Sequence, residues 1–264
     1  MNLQDVRLVA VDMDGTLLNS KGELSPDFFP IFNQLTQKGI QFAAASGRQY
    51  YNLLNRFESI KDNMIFIAEN GGYMAYRGKE LLVQAMDKEV VVGLLQTMRD
   101  IPQTSVVLCG AKSAYIHDTE PEFVEHVRLY YDRCEIVDNL ENVTGDQFLK
   151  IAIYDFAGSE NNSYRYFSHL QNQLQVKISG TYWLDISHKD ASKGTAIEQL
   201  QQHLGIGYSQ TMVFGDYLND LEMMQQGYFS YAMANAHDGI KEVSRFTTKS
   251  NDEDGVALVL RQLL

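Results

Sequence analysis

The chain has 264 residues, of which 45% are hydrophobic and 21% are charged, and this composition excludes a disordered chain and suits one large domain or two modest ones. The formal net charge of −12 argues against nucleic acid and anionic membranes as partners, because both require a basic face. No apolar run reaches the roughly 18 residues that span a bilayer, no signal peptide precedes the first strand, and two cysteines form no disulfide framework. We therefore expect a cytoplasmic protein.

The first third of the chain predicts alternating strands and helices. Short apolar runs of the kind buried in parallel sheets predict strands, and apolar residues at helical spacing after Ser25 and Pro26 predict a helix that ends at Gly39. The expected order is strand 7–12, helix 25–39, strand 41–46, helix 49–59 and strand 64–68, followed by a hairpin over 74–83. Strands joined by helices indicate right-handed parallel crossovers.

From about residue 87 the pattern changes, and it changes back near residue 187. Helices over 87–100, 121–132 and 160–174 alternate with strands over 104–109, 113–117, 147–155 and 175–186, and several links are too short for crossover helices. A helix near Ser192, strands over 211–214 and 229–232, and helices over 219–225, 237–243 and 253–263 then resume the parallel pattern. The predicted fold is α/β: a doubly wound, Rossmann-like parallel-sheet core formed by 1–83 plus 187–264, with an α+β cap inserted over 84–186.

Four carboxylates fall where strands of this sheet end. Asp12 and Asp14 directly follow the first strand, and Asp216 and Asp220 follow strand 211–214. Active sites of open α/β sheets lie at the carboxyl ends of the strands, so we expect these side chains to converge. Such a cluster needs a hard cation, and Mg²⁺ prefers oxygen ligands. The cation also explains how an acidic chain can bind an anionic substrate.

The same loops predict phosphoryl chemistry. Near Mg²⁺, Asp12 can attack phosphorus, and Asp14 can protonate the leaving oxygen and later deprotonate water, although an isolated pair of this kind is also typical of a solvated turn. Ser46 can donate to a phosphate oxygen or cap a helix. Arg48 is either an anion contact or a surface residue. Lys193 begins a helix, where the dipole disfavours it, and is either a stabiliser of the phosphoryl group or a solvated lysine.

Taken in chain order, these segments resemble the motifs of the haloacid dehalogenase superfamily of phosphatases, in particular the Cof-type members of subclass IIB with a large α/β cap. The motifs are Asp12-Met13-Asp14-Gly15-Thr16, Ser46-Gly47-Arg48, Lys193-Gly194 and the segment 215–220, with further agreement at Asn70-Gly71, 232–236 and 251–255. The resemblance covers essentially the whole chain. The second motif reads SGR where the family often has TGR, and both supply a hydroxyl.

The resemblance implies a role for each motif residue. Asp12 would be the nucleophile and Asp14 the acid and base, with Asp12, the backbone carbonyl of Asp14 and Asp216 as ligands of Mg²⁺. Ser46 and Lys193 would hold the transferring phosphoryl group. The remaining expected residues are Asp220, which would hold metal-bound waters or orient Lys193, and the phosphate-side residues Gly47, Arg48, Asn70 and Asn219, with Asn235 as a weaker carry-over.

The inserted cap of about 100 residues is expected to favour small, polar phosphate esters. Sugar phosphates are the family's commonest substrates. Tyr182, Trp183, His188 and Lys150 are candidates for setting specificity, although packing or solvent exposure is the more common explanation for each. We expect a monomer or a weak homo-oligomer.

Two other functions stay open at this point. A sugar phosphomutase or phosphotransferase uses the same fold, and the paired Asp12 and Asp14 argue only against dehalogenase chemistry, which lacks the second carboxylate. A non-catalytic phospho-acceptor also gathers acids, a hydroxyl and a lysine around Mg²⁺, but such receiver domains are about half this length and carry no inserted cap. The histidines lack metal-ligand spacing, which disfavours zinc.

Overall fold

The computed structural model describes residues 2–264, which form two compact units. The first unit comprises the chain up to Gly47, Phe57–Leu81 and Ser192–Leu264, and the second comprises Arg48–Arg56 and Leu82–Ala191. The predicted boundaries, 1–83 plus 187–264 and 84–186, did not anticipate that the segment Arg48–Arg56 groups with the second unit. The roles of catalytic core and specificity cap stay predictions.

The strands alternate with short helices through the chain. In chain order the strands are β1 (Leu8–Asp12), β2 (Gln41–Ala45), β3 (Met64–Ala68), β4 (Tyr73–Tyr76), β5 (Lys79–Val83), β6 (Thr104–Gly110), β7 (Ala114–Ile116), β8 (Cys134–Ile136), β9 (Phe148–Asp155), β10 (Leu174–Gly180), β11 (Trp183–His188), β12 (Thr211–Gly215), β13 (Phe229–Ala232) and β14 (Phe246–Thr247). The α-helices are α1 (Phe28–Gln37), α2 (Tyr50–Arg56), α3 (Lys88–Met98), α4 (Pro121–Tyr130), α5 (Ser163–Phe167), α6 (Lys193–Leu204), α7 (Leu221–Met224), α8 (Asp238–Val243) and α9 (Gly255–Leu260). Within residues 2–264 no helix combines the length and apolar character needed to cross a membrane.

An eight-stranded sheet forms the centre of the first unit. Its order is β14-β13-β12-β1-β2-β3-β4-β5, and the six strands from β14 to β3 run parallel. The chain moves outward from β1 through β2 and β3, then returns to place β12 on the other side of β1. This reversal is a topological switch point, where α/β sheets bind ligands. The predicted doubly wound parallel sheet is confirmed.

Burial explains why these segments are strands. All five residues of β1, β3 and β12 are buried, and continuous apolar runs are typical of parallel strands that are covered on both faces. α1 buries Phe28, Ile31, Phe32 and Leu35 along one side.

The start of α1 differs from the prediction. The helix begins at Phe28 after Asp27, rather than at Ser25 and Pro26. A helix that began at Pro26 would need the amide of residue 30 to donate to the carbonyl of residue 26, and Pro30 has no amide hydrogen. With the start at Phe28, the first intrahelical bond runs from Ile31 to Asp27 at 3.1 Å, so Pro30 lies in the first turn, where no donor is required.

The second unit is an α+β module, as predicted. Its six-stranded sheet has the order β10-β11-β9-β6-β7-β8, with antiparallel pairs except between β7 and β8. The predicted single strand 175–186 is wrong: it is the hairpin of β10 and β11. The edge strands β8 and β14 were not predicted.

Candidate active site

The loop after β1 carries the first acids of the site. Asp12 is buried, and its backbone carbonyl accepts a hydrogen bond from the Leu17 amide at 3.1 Å, so the loop turns back on the strand. Gly15 has φ +81°, and a Cβ there would lie 2.3 Å from Asp216 Oδ2. Glycine is therefore required both by the backbone conformation and by the close approach of the loop after β12. The side chain of Asp14 is exposed.

The loop after β12 supplies two more carboxylates. Asp216 Oδ1 accepts a hydrogen bond from the Thr16 hydroxyl at 3.0 Å. Asp220 is fully buried, and its Oδ2 accepts from the backbone amides of Asp216 at 3.0 Å and Tyr217 at 3.3 Å. Asp220 thus stabilises the loop that carries Asp216, and its Oδ2 is used for these two hydrogen bonds.

Lys193 joins the two loops. The hydroxyl of Ser192 caps α6 by accepting from the Thr195 amide at 3.1 Å, which fixes Lys193 in the first turn. The Lys193 ammonium has no exposed surface and donates to Asp12 Oδ1 at 2.5 Å and Asp220 Oδ1 at 2.6 Å. Lys193 therefore fixes the orientation of the Asp12 carboxylate.

The ends of β2 and β3 form a second, uncharged part of the site. The buried Ser46 donates its amide to the Ile67 carbonyl at 2.8 Å and accepts from the Asn70 amide at 2.9 Å through its own carbonyl. Asn70 adopts φ 54°, and its Oδ1 accepts from Asn219 Nδ2 at 3.2 Å. A Cβ on Gly47 would lie 3.1 Å from the Asn70 amide group. Ser46, Gly47, Asn70 and Asn219 are thus brought together as expected from their motifs.

The acids share a strongly negative environment. Burial raises the pKa of Asp12 well above its usual value, and the Asp220 charge adds to the effect against the opposing attraction of Lys193. Burial, then repulsion from Asp220, raises the pKa of Asp216 to about 6. Burial alone would lower the pKa of Lys193, but Asp12 and Asp220 outweigh it and hold that pKa above the usual range. The lysine therefore stays charged while the carboxylates resist ionising.

Among residues 2–264, Asp12, Asp216 and Asp220 form a cluster of acids that could hold a metal ion. One oxygen from each lies within 4.8 Å of the others. Three carboxylates and the single ammonium of Lys193 leave two uncompensated negative charges when all are ionised. A divalent cation with a preference for oxygen ligands matches both that charge and that donor set.

Arg48 and Asn235 make different contacts from those expected. The Arg48 guanidinium donates to Asn52 Oδ1 and to the Leu129 carbonyl, each at 3.0 Å. Asn235 Nδ2 donates to the Gly15 carbonyl at 2.8 Å, so this side chain supports the first loop. A phosphate contact by Arg48 stays a prediction.

The four candidate residues for substrate specificity occupy different environments in the second unit. Lys150 is buried and pairs with Asp185 at 3.4 Å. The Trp183 ring packs edge-on against Tyr154 with centroids 5.1 Å apart, Tyr182 is exposed and His188 is half-buried. Their roles in specificity stay predictions.

Three supporting residues received no role from the sequence. Thr16 holds Asp216, and the His237 amide donates to the Asp216 carbonyl at 2.8 Å. A Cβ on Gly71, where φ is +93°, would lie 2.2 Å from the Ser192 carbonyl. Thr16 and Gly71 lie inside motifs named in the sequence analysis, so the sequence could have indicated a role for them. The sequence could not have indicated His237, because it acts through its backbone amide, which every residue except proline has.

A model of haloacid dehalogenase-like hydrolases matches residues 9–260. Among curated proteins, the 5-amino-6-(5-phospho-D-ribitylamino)uracil phosphatase of Escherichia coli K12 is 32% identical over 269 residues, which cover 98% of this chain and 96% of the relative. A Bacillus subtilis phosphatase of the same name is 24% identical and covers 97% of this chain and 95% of the relative.

Solved structures show the same architecture. A Streptococcus mutans protein superimposes with a TM-score of 0.89 at 29% identity, covering 97% of this chain and 98% of that one. A sugar phosphatase of subclass IIB superimposes with a TM-score of 0.82 at 19% identity, covering 97% and 98% of the two chains, and this likeness concerns the fold alone.

Proposed function

This chain belongs to the haloacid dehalogenase-like hydrolase family and is a phosphatase, and we propose that it hydrolyses small phosphate monoesters through a phospho-aspartate on Asp12, with Mg²⁺ as cofactor. The observation that carries the proposal is the fully buried Lys193 ammonium between Asp12 and Asp220. Burying an ammonium is costly and adds nothing to apolar packing. An orientated, buried carboxylate at a switch point is suited to nucleophilic attack.

The residues fit Mg²⁺ by charge and by donor type. We propose that Asp12, Asp216 and the backbone carbonyl of Asp14 hold the ion directly. Asp220 suits an outer position, because one of its oxygens accepts from Lys193 and the other from two backbone amides. When bound, Mg²⁺ screens the repulsion between the Asp12 carboxylate and the substrate phosphate.

In the first step, an oxygen of Asp12 forms a bond to phosphorus as the bond from phosphorus to the leaving oxygen breaks. Asp14, in its protonated form, gives its proton to that oxygen, and the alcohol departs. Lys193 holds the attacking carboxylate at 2.5 Å. We propose that the Ser46 hydroxyl and the groups around Asn70 bind the phosphoryl oxygens, which become more negative in the transition state.

In the second step, water attacks the phosphorus of phospho-Asp12. The Asp14 carboxylate takes a proton from that water as the bond between phosphorus and the Asp12 oxygen breaks. Inorganic phosphate leaves, and both aspartates return to their starting forms. The exposed side chain of Asp14 suits this exchange of protons with water and product.

We propose sugar and polyol phosphates as the substrate class, with the second unit setting specificity. The names of the two curated relatives specify a phosphorylated ribityl group on a pyrimidine, so this compound is the first to assay beside hexose and pentose phosphates. We expect the enzyme to act in the cytoplasm.

The direct test is phosphate release from a panel of phosphorylated metabolites. We expect Asp12→Asn to lower kcat about 10⁴-fold or more while retaining the fold, and chelation of Mg²⁺ to silence the wild type until the ion is restored. Asp62→Asn, on the exposed Asp62 of the same unit, is the matched control. Turnover by Asp12→Asn near the wild-type rate would overturn the proposal. Conversion of a sugar phosphate to its isomer without phosphate release would indicate a phosphomutase.

A further inference from the structure

Two asparagines that the proposed mechanism does not use lie on loops after neighbouring parallel strands. Asn235 follows β13 and Asn251 follows β14, and both loops belong to the first unit. We infer that this asparagine pair, Asn235 and Asn251, positions the Asp14 side chain by fixing the loop after β1, which lies in the same unit. The inference rests on the proposed function, because it takes Asp14 as the general acid and base.

The loop after β1 places Asp14 in a tight turn. The Thr16 amide donates to the Met13 carbonyl at 3.4 Å, and Gly15 has φ +81°, as expected for the third residue of a type II turn. The Leu18 amide also donates to the Met13 carbonyl, at 2.8 Å. These bonds join the two ends of the turn, and Asp14 and Gly15 lie between them.

The asparagine pair contacts this loop at two backbone carbonyls. Asn235 Nδ2 donates to the Gly15 carbonyl at 2.8 Å, and Asn251 Nδ2 donates to the Leu18 carbonyl at 2.9 Å. The two asparagines are also joined to each other, because Asn235 Oδ1 accepts from the Asn251 amide at 3.1 Å. The Asn235 side chain therefore connects the turn that contains Asp14 to the loop after β14.

The segment that carries Asn251 is itself held by several bonds. The Gly255 amide donates to the Ser250 carbonyl at 3.0 Å, and the Ser250 hydroxyl donates to Glu253 Oε2 at 2.8 Å. A Cβ on Gly255 would lie 2.1 Å from the Lys249 carbonyl, so the backbone packs closely at the end of this segment. The segment can therefore act as a fixed support for the loop after β1.

Support at the Gly15 carbonyl matters because glycine limits backbone rotation less than any other residue. The Asp12 carboxylate is oriented by Lys193, whereas the Asp14 side chain is exposed and extends from the turn. If the Gly15 carbonyl loses its donor, the peptide after Gly15 can rotate, and the Asp14 carboxylate moves with the turn. A small displacement of a group that transfers a proton lowers the rate of that transfer.

The test uses Asn235→Ala and Asn251→Ala during turnover of p-nitrophenyl phosphate with Mg²⁺. p-Nitrophenolate leaves without a proton, so a displaced Asp14 slows only the second step, in which water attacks phospho-Asp12. We expect each variant to lower kcat about fivefold, to leave kcat/KM unchanged and to raise the phosphorylated fraction of the protein, measured by intact mass. A loss of active protein would lower kcat and kcat/KM together and would not raise that fraction.

A double-mutant cycle with Asp14→Asn shows whether the pair acts through Asp14. We expect Asn235→Ala to lower kcat less than about twofold when Asp14 is already asparagine. Asn63→Ala, at an exposed asparagine of the same unit, is the matched control and should leave kcat unchanged in both backgrounds. Far-ultraviolet circular dichroism and Tm establish that each variant folds.

The outcomes separate this inference from the proposed function. If Asp14→Asn accumulates phospho-Asp12 but neither asparagine variant does, or if Asn235→Ala lowers kcat equally in both backgrounds, the positioning role alone is refuted. If Asp14→Asn itself turns over at the wild-type rate, the role of Asp14 in the proposed function is wrong as well. Should Asn235→Ala fail to fold, Asn251→Ala enters the same cycle, and the same outcomes apply.

Discussion

Lys193 shows how much of this site depends on single charges. Removing an ammonium from water costs several kcal/mol unless close partners compensate for the lost hydration. The pairs with Asp12 and Asp220, at 2.5 and 2.6 Å, supply that compensation and keep the lysine protonated. The sequence indicated Lys193 because a lysine at a helix start is unfavourable without an anion nearby. It could not choose between the two roles for Asp220, because that choice depends on how β12 and α6 pack.

Gly15 gives a prediction about loop contact. Gly15→Ala and Gly22→Ala both place alanine at positive φ, +81° and +75° respectively, which costs about 1–2 kcal/mol. Only at Gly15 does the new Cβ meet another residue, Asp216 Oδ2 at 2.3 Å, whereas nothing lies within 4 Å at Gly22. We expect both variants to lower Tm, Gly15→Ala at least as much as Gly22→Ala, and only Gly15→Ala to raise the Mg²⁺ concentration for half-maximal activity. Equal Mg²⁺ requirements in the two variants would contradict this.

The raised pKa values of Asp12 and Asp216 give a prediction about pH. Asp216 titrates at about 6 in the native state against 3.8 ordinarily, so the native protein binds more protons than the unfolded chain between these values. Without Mg²⁺, Asp216 therefore stabilises the fold less as pH rises through that window. The proposed Mg²⁺ would bind the ionised form, so we expect its stabilising effect to grow over the same window.

Thermal unfolding with and without Mg²⁺ measures this linkage. We expect the rise in Tm that Mg²⁺ causes to be larger at about pH 7.5 than at about pH 5. The Asp216→Asn variant should show a smaller rise at both values. A larger rise at the lower pH would show that these carboxylates do not hold the ion.

At the scale of elements, the N-cap of α6 contributes to the stability of the fold and also positions a residue of the site. Ser192→Ala removes the bond to the Thr195 amide and should cost about 1 kcal/mol. Because Lys193 is the next residue, we also expect kcat to fall. Asn139→Ala removes a comparable cap, the 2.9 Å bond to the Glu141 amide in the second unit, and should lower Tm without changing kcat. If both variants keep the wild-type kcat, the cap does not position Lys193.

The elements that the sequence predicted best are those whose burial is complete. β1, β3 and β12 are continuous apolar runs with polar ends, so their first and last residues could be predicted from the sequence. The hairpin of β10 and β11 was taken as one strand, because its turn at Thr181 and Tyr182 lacks the glycine or asparagine that usually marks a two-residue loop. The grouping of α2 with the second unit depends on side-chain pairs distant in sequence, which no local pattern reveals.

At the scale of the whole molecule, the net charge of −12 opposes the approach of an anionic substrate. The arrangement of charges within the site has to compensate for this. An acidic surface repels phosphate esters at long range, yet the sheet places its acids where two loops and one helix meet. The motifs predicted which residues gather there, because parallel strands end at one edge of a sheet. They did not predict the depth of burial, which raises the carboxylate pKa values and follows from packing of the complete sheet.

The most direct measurement is the mass of the protein during turnover of p-nitrophenyl phosphate by an Asp14→Asn variant. p-Nitrophenolate leaves without needing a proton, so the first step should proceed, while loss of the general base slows hydrolysis of the intermediate. We expect one phosphoryl group to accumulate, peptide mapping to find it on Asp12, and Asp12→Asn added to Asp14→Asn to abolish it. A phosphoryl group on any other residue, or hydrolysis by Asp14→Asn at the wild-type rate with no phosphorylated protein, would contradict a mechanism through phospho-Asp12.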